Sequence, residues 1–139
     1  MKAVGVTRQP PQRQGGSSEM RLTIRVDFGA HGALGPGKIR LMELIGEKGS
    51  ITAAGRAMKM SYRRAWLLVD ALNRMFRDPL IETQHGGSGG GGAALSVLGQ
   101  RIVTLYRQIE ASATASATAP FDELAGYLSD TPSEGDISD

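Results

Sequence analysis

The chain has 139 residues, of which 16 are basic and 14 acidic, and it contains no cysteine. This length suggests one domain that can bury a working core without covalent cross-links. The lack of cysteine excludes disulfides and thiolate metal sites, and the two histidines, His31 and His85, are too far apart in sequence to suggest a metal or catalytic pair. No run has the apolar length of a secretory signal or a membrane span, which predicts a cytoplasmic protein with no membrane partner.

The charges are unevenly distributed along the chain. Residues 1–107 hold all 16 basic residues and seven of the acidic ones, a net charge of +9, whereas residues 108–139 hold the other seven acidic residues. A basic body with an acidic end favours a polyanionic partner such as nucleic acid. A solvated surface with an ordinary acidic tail explains the same distribution, so charge alone leaves both readings open.

The first part of the chain predicts an arm followed by a strand. Residues 1–20 are rich in Pro, Gly, Gln and Ser, which is typical of a disordered arm. Apolar and polar residues then alternate over residues 21–28, which predicts a half-buried strand. Its inner face consists of Leu22, Ile24, Val26 and Phe28.

Three helices are predicted next. The first begins after Gly35, with Pro36 in its first turn. Its apolar stripe consists of Ile39, Leu41, Met42, Leu44 and Ile45. Ser50 is a good N-cap for a second, short helix, and Ser61 is a good N-cap for a third that runs to about Arg77. Pro79 prevents the third helix from continuing.

A hairpin and a long helix complete the predicted fold. Residues 80–84 and 93–96 are predicted to pair as antiparallel strands, and residues 97–119 to form a helix of about 22 residues that ends at Pro120. A short helix over 121–128 and a disordered end are expected in the acidic tail, 120–139. The order predicts an α+β, mainly helical fold: a winged helix-turn-helix domain over 21–119 with a long C-terminal dimerisation helix.

The start of the third helix is the strongest candidate for a DNA-binding site. Ser61, Tyr62, Arg63 and Arg64 form its first turn, which a helix-turn-helix presents outward. Two adjacent arginines there oppose the helix dipole, so an anionic partner would compensate, and arginine forks match phosphates or the guanine edge. Trp66 follows one turn after Tyr62 and either contacts DNA or supports the core.

The glycine run is the second candidate. Six of the seven residues at positions 86–92 are glycine. No lysine or arginine lies near enough for a phosphate-binding loop of the GxxxxGK[ST] type, no βαβ unit surrounds the run, and as a linker it would leave a fragment too small to fold. We therefore expect a bare hairpin tip that skirts the DNA backbone, or else a loop without function. The residues assigned to DNA binding there are Gln84, His85, Gly86, Gly87, Ser88 and Gly89.

The apolar stripe of the long helix predicts an interface with a second copy of the chain. It consists of Leu98, Ile102, Leu105, Tyr106 and Ile109. Little else in the chain can cover this stripe, although packing against its own domain is the alternative for part of it. Paired recognition helices would then address DNA half-sites about 34 Å apart.

Two segments carry a family resemblance. The runs GSITAAGRAMKMSYRRAWLLVDALNRMF and LIETQHGGSGGGGAALSVLGQRIVTLYRQIE closely resemble the DNA-binding domain of the molybdate-responsive ModE regulators, which is related to the winged helix-turn-helix of LysR-type regulators. The resemblance covers about residues 20–115. It implies a homodimer that binds palindromic promoter DNA, with dimer contacts from the first and last helices, a recognition helix at 61–66 and a wing at 84–92. The oxyanion-binding domains that follow the long helix in that family have no counterpart in the last 24 residues, so the resemblance implies a shortened form without an oxyanion effector.

Together these features predict a sequence-specific, double-stranded DNA-binding transcription regulator that acts as a homodimer, needs no cofactor and is not an enzyme. No Ser/His/Asp set, carboxylate pair or metal cluster has a suitable spacing. The alternative is a protein-interaction or dimerisation module that uses the same scaffold without specific DNA binding.

Overall fold

The structure is a computed structural model that describes residues 19–84 and 92–132. Most of the predicted arm, the tip of the predicted wing and the last seven residues lie outside the described residues. Within the described ranges, no helix is both long enough and apolar enough to cross a lipid bilayer.

The described residues form a mainly helical α+β fold, as predicted from the sequence. Two small antiparallel sheets accompany the helices. The elements are, in chain order, β1 (Val26–Asp27), β2 (Ala33–Leu34), α1 (Pro36–Lys48), α2 (Ile51–Ala57), α3 (Tyr62–Met75), β3 (Ile81–Gln84), β4 (Gly92–Leu95), α4 (Val97–Ser116) and α5 (Thr118–Gly126).

The first strand is shorter than predicted. Only Val26–Asp27 pair with a partner strand, Ala33–Leu34, which the sequence did not predict. A 3-10 turn at Gly29–His31 reverses the chain so soon that only two residues on each side can pair. The predicted alternation of partly buried and exposed side chains holds at Leu22, Ile24 and Val26. Phe28 does not follow it, because its side chain is 37% exposed; its ring packs edge-on against that of Phe76, with the ring centroids 5.7 Å apart.

Helix α1 is the centre of the core, and its predicted stripe is confirmed. The five apolar residues of the stripe are all buried. Pro36 occupies the first turn, as predicted, and Gly49 ends the helix in the left-handed conformation, with φ of +70°. Helices α2 and α4 and strand β4 pack directly against α1, and α3 packs against α2 and β3.

The hairpin is attached to the end of α3 by one side chain. The amide of Asn73 donates to the carbonyl oxygen of Ile81 and accepts from the backbone N–H groups of Leu80 and Ile81, at 2.9–3.0 Å. Strand β3 then pairs with β4 from Ile81 opposite Leu95 to Gln84 opposite Gly92, which confirms the predicted hairpin. The hairpin β3–β4 is called the wing below.

The end of the long helix differs from the prediction. Helix α4 has 20 residues and stops at Ser116, and α5 begins directly after Ala117. Pro120 does not end a helix but lies in the first turn of α5, where the N–H group that proline lacks is not needed for a helical hydrogen bond. The predicted short helix therefore begins three residues earlier than expected.

Candidate nucleic-acid interface

Helices α2 and α3 form a closely packed helix-turn-helix. Gly55 and Ala65 are buried where the two helices meet. The turn between them contains Lys59 in the left-handed conformation, with φ of +59°, and the N–H of Met60 donates to the carbonyl oxygen of Gly55 at 3.0 Å. This geometry fixes the direction in which the first turn of α3 leaves the domain.

Both predicted N-caps of the helix-turn-helix are present. The Ser50 hydroxyl accepts from the N–H of Ala53, and the Ser61 hydroxyl accepts from the N–H of Arg64, each at 3.0 Å. A side-chain acceptor at this position satisfies one of the N–H groups that a helix start leaves free. Ser61 therefore has a structural role that accounts for its presence at the predicted interface.

The predicted DNA-binding residues of α3 lie at different angles around the helix. Ala65, Val69 and Leu72 face the core. At about 100° per residue, Arg63 points away from that core, and Leu67 follows it one turn later on the same exposed face. Leu67 was not among the residues predicted to bind DNA, although its i+4 spacing from Arg63 places it on the same face.

Tyr62 and Trp66 form an aromatic pair at one border of this face. Their ring centroids are 6.1 Å apart, and the side chains are 65% and 38% exposed. Such partial exposure fits both readings of Trp66, since one part of the ring packs against the protein and the other part faces solvent.

Arg63 and Arg64 are both exposed. Neither takes part in the ion pairs that residues 19–84 and 92–132 form with one another. Two cations in the first turn of a helix produce a positive potential that adds to the helix dipole. An anion would therefore be attracted to this end of α3.

A cleft of about 190 Å³ connects α3 with the base of the wing. It is lined by Ser50, Ile51, Thr52, Trp66, Thr83, Gln84, Gly92 and Ala93. The N–H of Ala93 donates to the carbonyl oxygen of Gly49 at 2.9 Å, which holds the wing against the turn between α1 and α2. Two residues assigned to DNA binding from sequence, Trp66 and Gln84, thus lie in one cleft.

The other predicted wing residues lie outside the described residues: His85, Gly86, Gly87, Ser88 and Gly89. The cleft adds two polar residues that sequence reasoning missed, Thr52 and Thr83. Thr52 lies in the first turn of α2, and Thr83 directly precedes Gln84 on β3. Neither carries a sequence signal of its own, because the cleft forms only when three elements meet.

The predicted dimer stripe of α4 divides into a buried part and an exposed part. Leu98 and Ile102 pack against the core of the same chain. Leu105 and Ile109 are 37% and 48% exposed. Tyr106 is buried, and its hydroxyl donates to the carbonyl oxygen of Ile24 at 2.6 Å. The ring of Tyr106 is therefore part of its own domain's core, which corrects its assignment to the dimer surface.

An ion-pair cluster joins α4 to α1 beside this stripe. The guanidinium of Arg107 donates twice to the carboxylate of Glu43, with both distances 2.9 Å, and once to Glu110 at 2.7 Å. The hydrogen bonds from Arg107 hold the pKa of Glu43 below its ordinary value, although partial burial opposes this shift. The same contact raises the pKa of Arg107.

Metal binding finds no support in the part of the chain that is described. Within it, no three His, Asp or Glu side chains come together in a way that could hold a metal ion.

No protein-family model matches the chain. Several individual proteins are similar to it in sequence. The chain is 39% identical over 90 residues to the molybdenum transport protein ModE of Azotobacter vinelandii, 37% over 100 residues to the molybdenum-pterin-binding protein MopB of Rhodobacter capsulatus, and 35% over 94 residues to the transcriptional regulator ModE of Haemophilus influenzae. The resemblance to ModE proteins is confirmed.

The matched regions are 65%, 71% and 68% of this chain but only 33%, 37% and 36% of these relatives. The chain thus spans about a third of the length of the curated ModE and Mop relatives it matches. Their names describe regulators, a transport protein and molybdenum-pterin-binding proteins, and none of these names is that of an enzyme.

Proposed function

We propose that this protein is a sequence-specific DNA-binding transcription regulator. It acts as a homodimer and contacts DNA through α3 and the wing. The observation that carries the proposal is the first turn of α3, where Arg63 and Arg64 are exposed at the outward end of a closely packed helix-turn-helix and form no ion pair with another described residue. Relatives that match this chain over about half to two thirds of its length are named transcriptional regulators, which supports the same conclusion.

In this proposal α3 enters the major groove of DNA. Arg63 and Leu67 occupy the centre of its exposed face, so they are the residues best positioned to reach base edges. An arginine fork suits the O6 and N7 atoms of guanine, and an apolar side chain suits the methyl group of thymine. The Trp66–Gln84 cleft and the wing then follow the sugar-phosphate backbone at one side of the groove.

The proposed dimer forms through the exposed part of the α4 stripe, Leu105 and Ile109. Two copies related by a twofold axis would present two copies of α3 to a palindromic site. The proposed partners are double-stranded DNA and a second copy of the chain.

The test is a DNA-binding titration with an operator selected from a random pool, measured at two salt concentrations. Arg63→Ala should lower the affinity for the operator by about tenfold to a hundredfold, because a good bidentate base contact contributes about 1–3 kcal/mol. Arg77→Ala is the matched control, because Arg77 is an exposed arginine beyond the other end of α3.

Equal affinity of the wild-type protein for selected and unrelated DNA would refute sequence-specific regulation. Weak binding to both, even at low salt, would favour the protein-interaction module instead. Unchanged operator affinity in Arg63→Ala, with specificity intact, would remove Arg63 from the mechanism.

A further inference from the structure

A second surface cavity lies on the opposite side of α3 from the Trp66–Gln84 cleft. Its volume is about 290 Å³, and it is bordered by the chain before β1, the start of α1, the turn between α2 and α3, and α3 itself. Three of its lining side chains are cations: Arg25, Lys38 and Arg64. Its apolar wall consists of Met58, Met60 and Leu68. No acidic side chain is among the described residues that line it.

Within residues 19–84 and 92–132, the positive charge of this cavity is largely uncompensated. Lys38 donates to the carbonyl oxygen of Ala33 at 2.8 Å, a neutral acceptor that fixes the ammonium group without cancelling its charge. Arg64 belongs to none of the ion pairs within the described ranges. Two of the three cations are therefore available to an anion that enters the cavity.

Arg25 can be released to the same anion at low cost. Its ion pair with Asp27 spans 3.2 Å, but the two side chains are 69% and 63% exposed, and pairs this exposed contribute little. Asp27 also accepts a hydrogen bond from the N–H of Gly29 at 2.8 Å, which is the main reason why its pKa lies below the ordinary value. The carboxylate therefore keeps a partner when Arg25 turns away.

The angular positions on α3 give the two adjacent arginines different tasks. Arg64 lies about 100° around the helix from Arg63, at the border of the exposed face rather than at its centre. Trp66 lies at the other border, where it lines the first cleft. A helix in the major groove has one sugar-phosphate strand at each side, and these two cavities lie where the two strands would pass.

We propose that Arg25, Lys38 and Arg64 together bind one phosphate of the DNA backbone at the side of α3 opposite the wing. The inference rests on the proposed function and deepens it. Arg63 then reads bases, while Arg64 and the two cations from outside the helix-turn-helix fix the position of α3 in the groove. A backbone phosphate fits better than an enclosed small ligand, because the cavity is open to solvent and lies at the lower limit of small-ligand pocket volumes, about 300 Å³.

The experiment measures the affinity of the full chain for the selected operator and for unrelated DNA over a series of salt concentrations. Each phosphate contact contributes about 0.9 to the slope of log affinity against log salt concentration. The double variant Arg25→Ala/Lys38→Met should lower that slope by about 0.9. The ratio of wild-type affinity to variant affinity should then be about 3.5-fold smaller at 200 mM salt than at 50 mM salt, and this change should be the same for the operator and for unrelated DNA.

Two further variants separate the tasks of the adjacent arginines. Arg64→Lys should keep most of the affinity for both DNAs, since a point charge is sufficient for a phosphate, whereas Arg63→Lys should lose the preference for the operator. Arg77→Ala is the control that changes charge elsewhere, and it should leave the salt slope unchanged. Circular dichroism of each variant confirms that the fold is retained.

The outcomes are distinct. An unchanged salt slope in the double variant would overturn the phosphate site while leaving the proposed function intact. An affinity loss of the double variant on the operator but not on unrelated DNA would have the same meaning. Inorganic phosphate that binds saturably to the DNA-free protein, but not to the double variant, would assign the cavity to a small anion if the DNA slope stayed the same. A wild-type protein that binds no DNA at low salt would refute the proposed function itself.

Discussion

Gly55 and Ala65 touch where α2 meets α3, and a Cβ on Gly55 would lie 2.8 Å from the Cβ of Ala65. Such a separation is shorter than real carbon–carbon contacts, so a side chain at position 55 would push the two helices apart. The relationship sets the spacing of the helix-turn-helix. It therefore also sets the direction in which the first turn of α3 projects.

Gly55→Ala is expected to destabilise the fold. Overpacking a dense core costs about 1–3 kcal/mol, of which better helix propensity returns up to about 1 kcal/mol. The free energy of unfolding from urea titration measures the net loss. Gly46→Ala is the matched control, because Gly46 is a helical glycine in the last turn of α1 and its added Cβ would lie at an ordinary contact distance of 3.6 Å from Leu95 Cδ1. The control should be neutral or slightly stabilising, and equal losses in both variants would refute the packing argument.

The sequence predicts most of the helix-turn-helix because its signals are local. Serine N-caps at Ser50 and Ser61 and the apolar period of α1 depend on residues a few positions apart, and the structure confirms them. The hairpin was also predictable, since the glycine run separates two short segments that can pair, although Gly92, the last residue of the run, is already part of β4 and pairs with Gln84.

The errors and omissions involve contacts between distant residues. Tyr106 fits the exposed stripe of α4 by spacing, yet its hydroxyl reaches Ile24, which lies 82 positions earlier. The two-residue strand β2 exists only because a turn returns the chain to Val26. Arg25 and Lys38 join Arg64 in one cavity only after three segments pack together, so no local pattern could identify them.

Tyr106→Phe is expected to lower stability by about 1 kcal/mol, since it removes the hydrogen bond to Ile24 while retaining the ring. Burial, assisted by Glu110, raises the pKa of Tyr106 above its ordinary value near 10. Because the folded state holds the Tyr106 hydroxyl neutral, its contribution to stability is fully present at pH values below the pKa of tyrosine in the unfolded chain. This contribution is lost as the pH rises through the higher pKa of Tyr106 in the folded state.

Thermal unfolding of the wild-type protein and of Tyr106→Phe between pH 7 and 11 measures this dependence. The difference in melting temperature should be constant up to about pH 9 and shrink above about pH 10. Tyr127→Phe is the control, because Tyr127 is exposed and its hydroxyl, within the part of the chain that is described, bonds only to the carboxylate of Glu123. A difference that stays constant through pH 11 would contradict the role of the hydroxyl.

Glu43→Gln should weaken the attachment of α4 to α1. The paired hydrogen bonds from Arg107 lower the pKa of Glu43. Their contribution to the stability of the fold is therefore present at pH values above the pKa of Glu43 in the unfolded chain, near 4.5, and is lost as the pH falls through its lower pKa in the folded state. We expect a loss of about 1 kcal/mol at pH 7, because the pair is partly exposed and screened by solvent. The difference between the variant and the wild type should narrow between pH 5 and pH 3, as measured by urea unfolding at each pH.

Glu47→Gln provides the comparison for Glu43→Gln. Glu47 lies on the same helix, but its only ion pair within the described ranges is a 4.0 Å contact to the exposed Arg40. Its replacement should change stability by less than about 0.5 kcal/mol at any pH. A similar acid-dependent loss in both variants would indicate a general charge effect instead of the Arg107 contact.

Leu105→Glu/Ile109→Glu is expected to weaken or abolish the proposed dimer. Both side chains are part-exposed on α4, and neither is among the residues that form the core, so two carboxylates there would repel a second copy without emptying the protomer's interior. Sedimentation velocity over a range of protein concentrations should show a monomer where the wild type shows a dimer. Leu67→Glu is the control: it adds a carboxylate on the exposed face of α3, and it should reduce DNA binding but leave the sedimentation coefficient unchanged. If the α4 variant remains dimeric, the two copies must associate through a different surface, and the spacing of paired α3 helices on DNA would have to be derived from that surface.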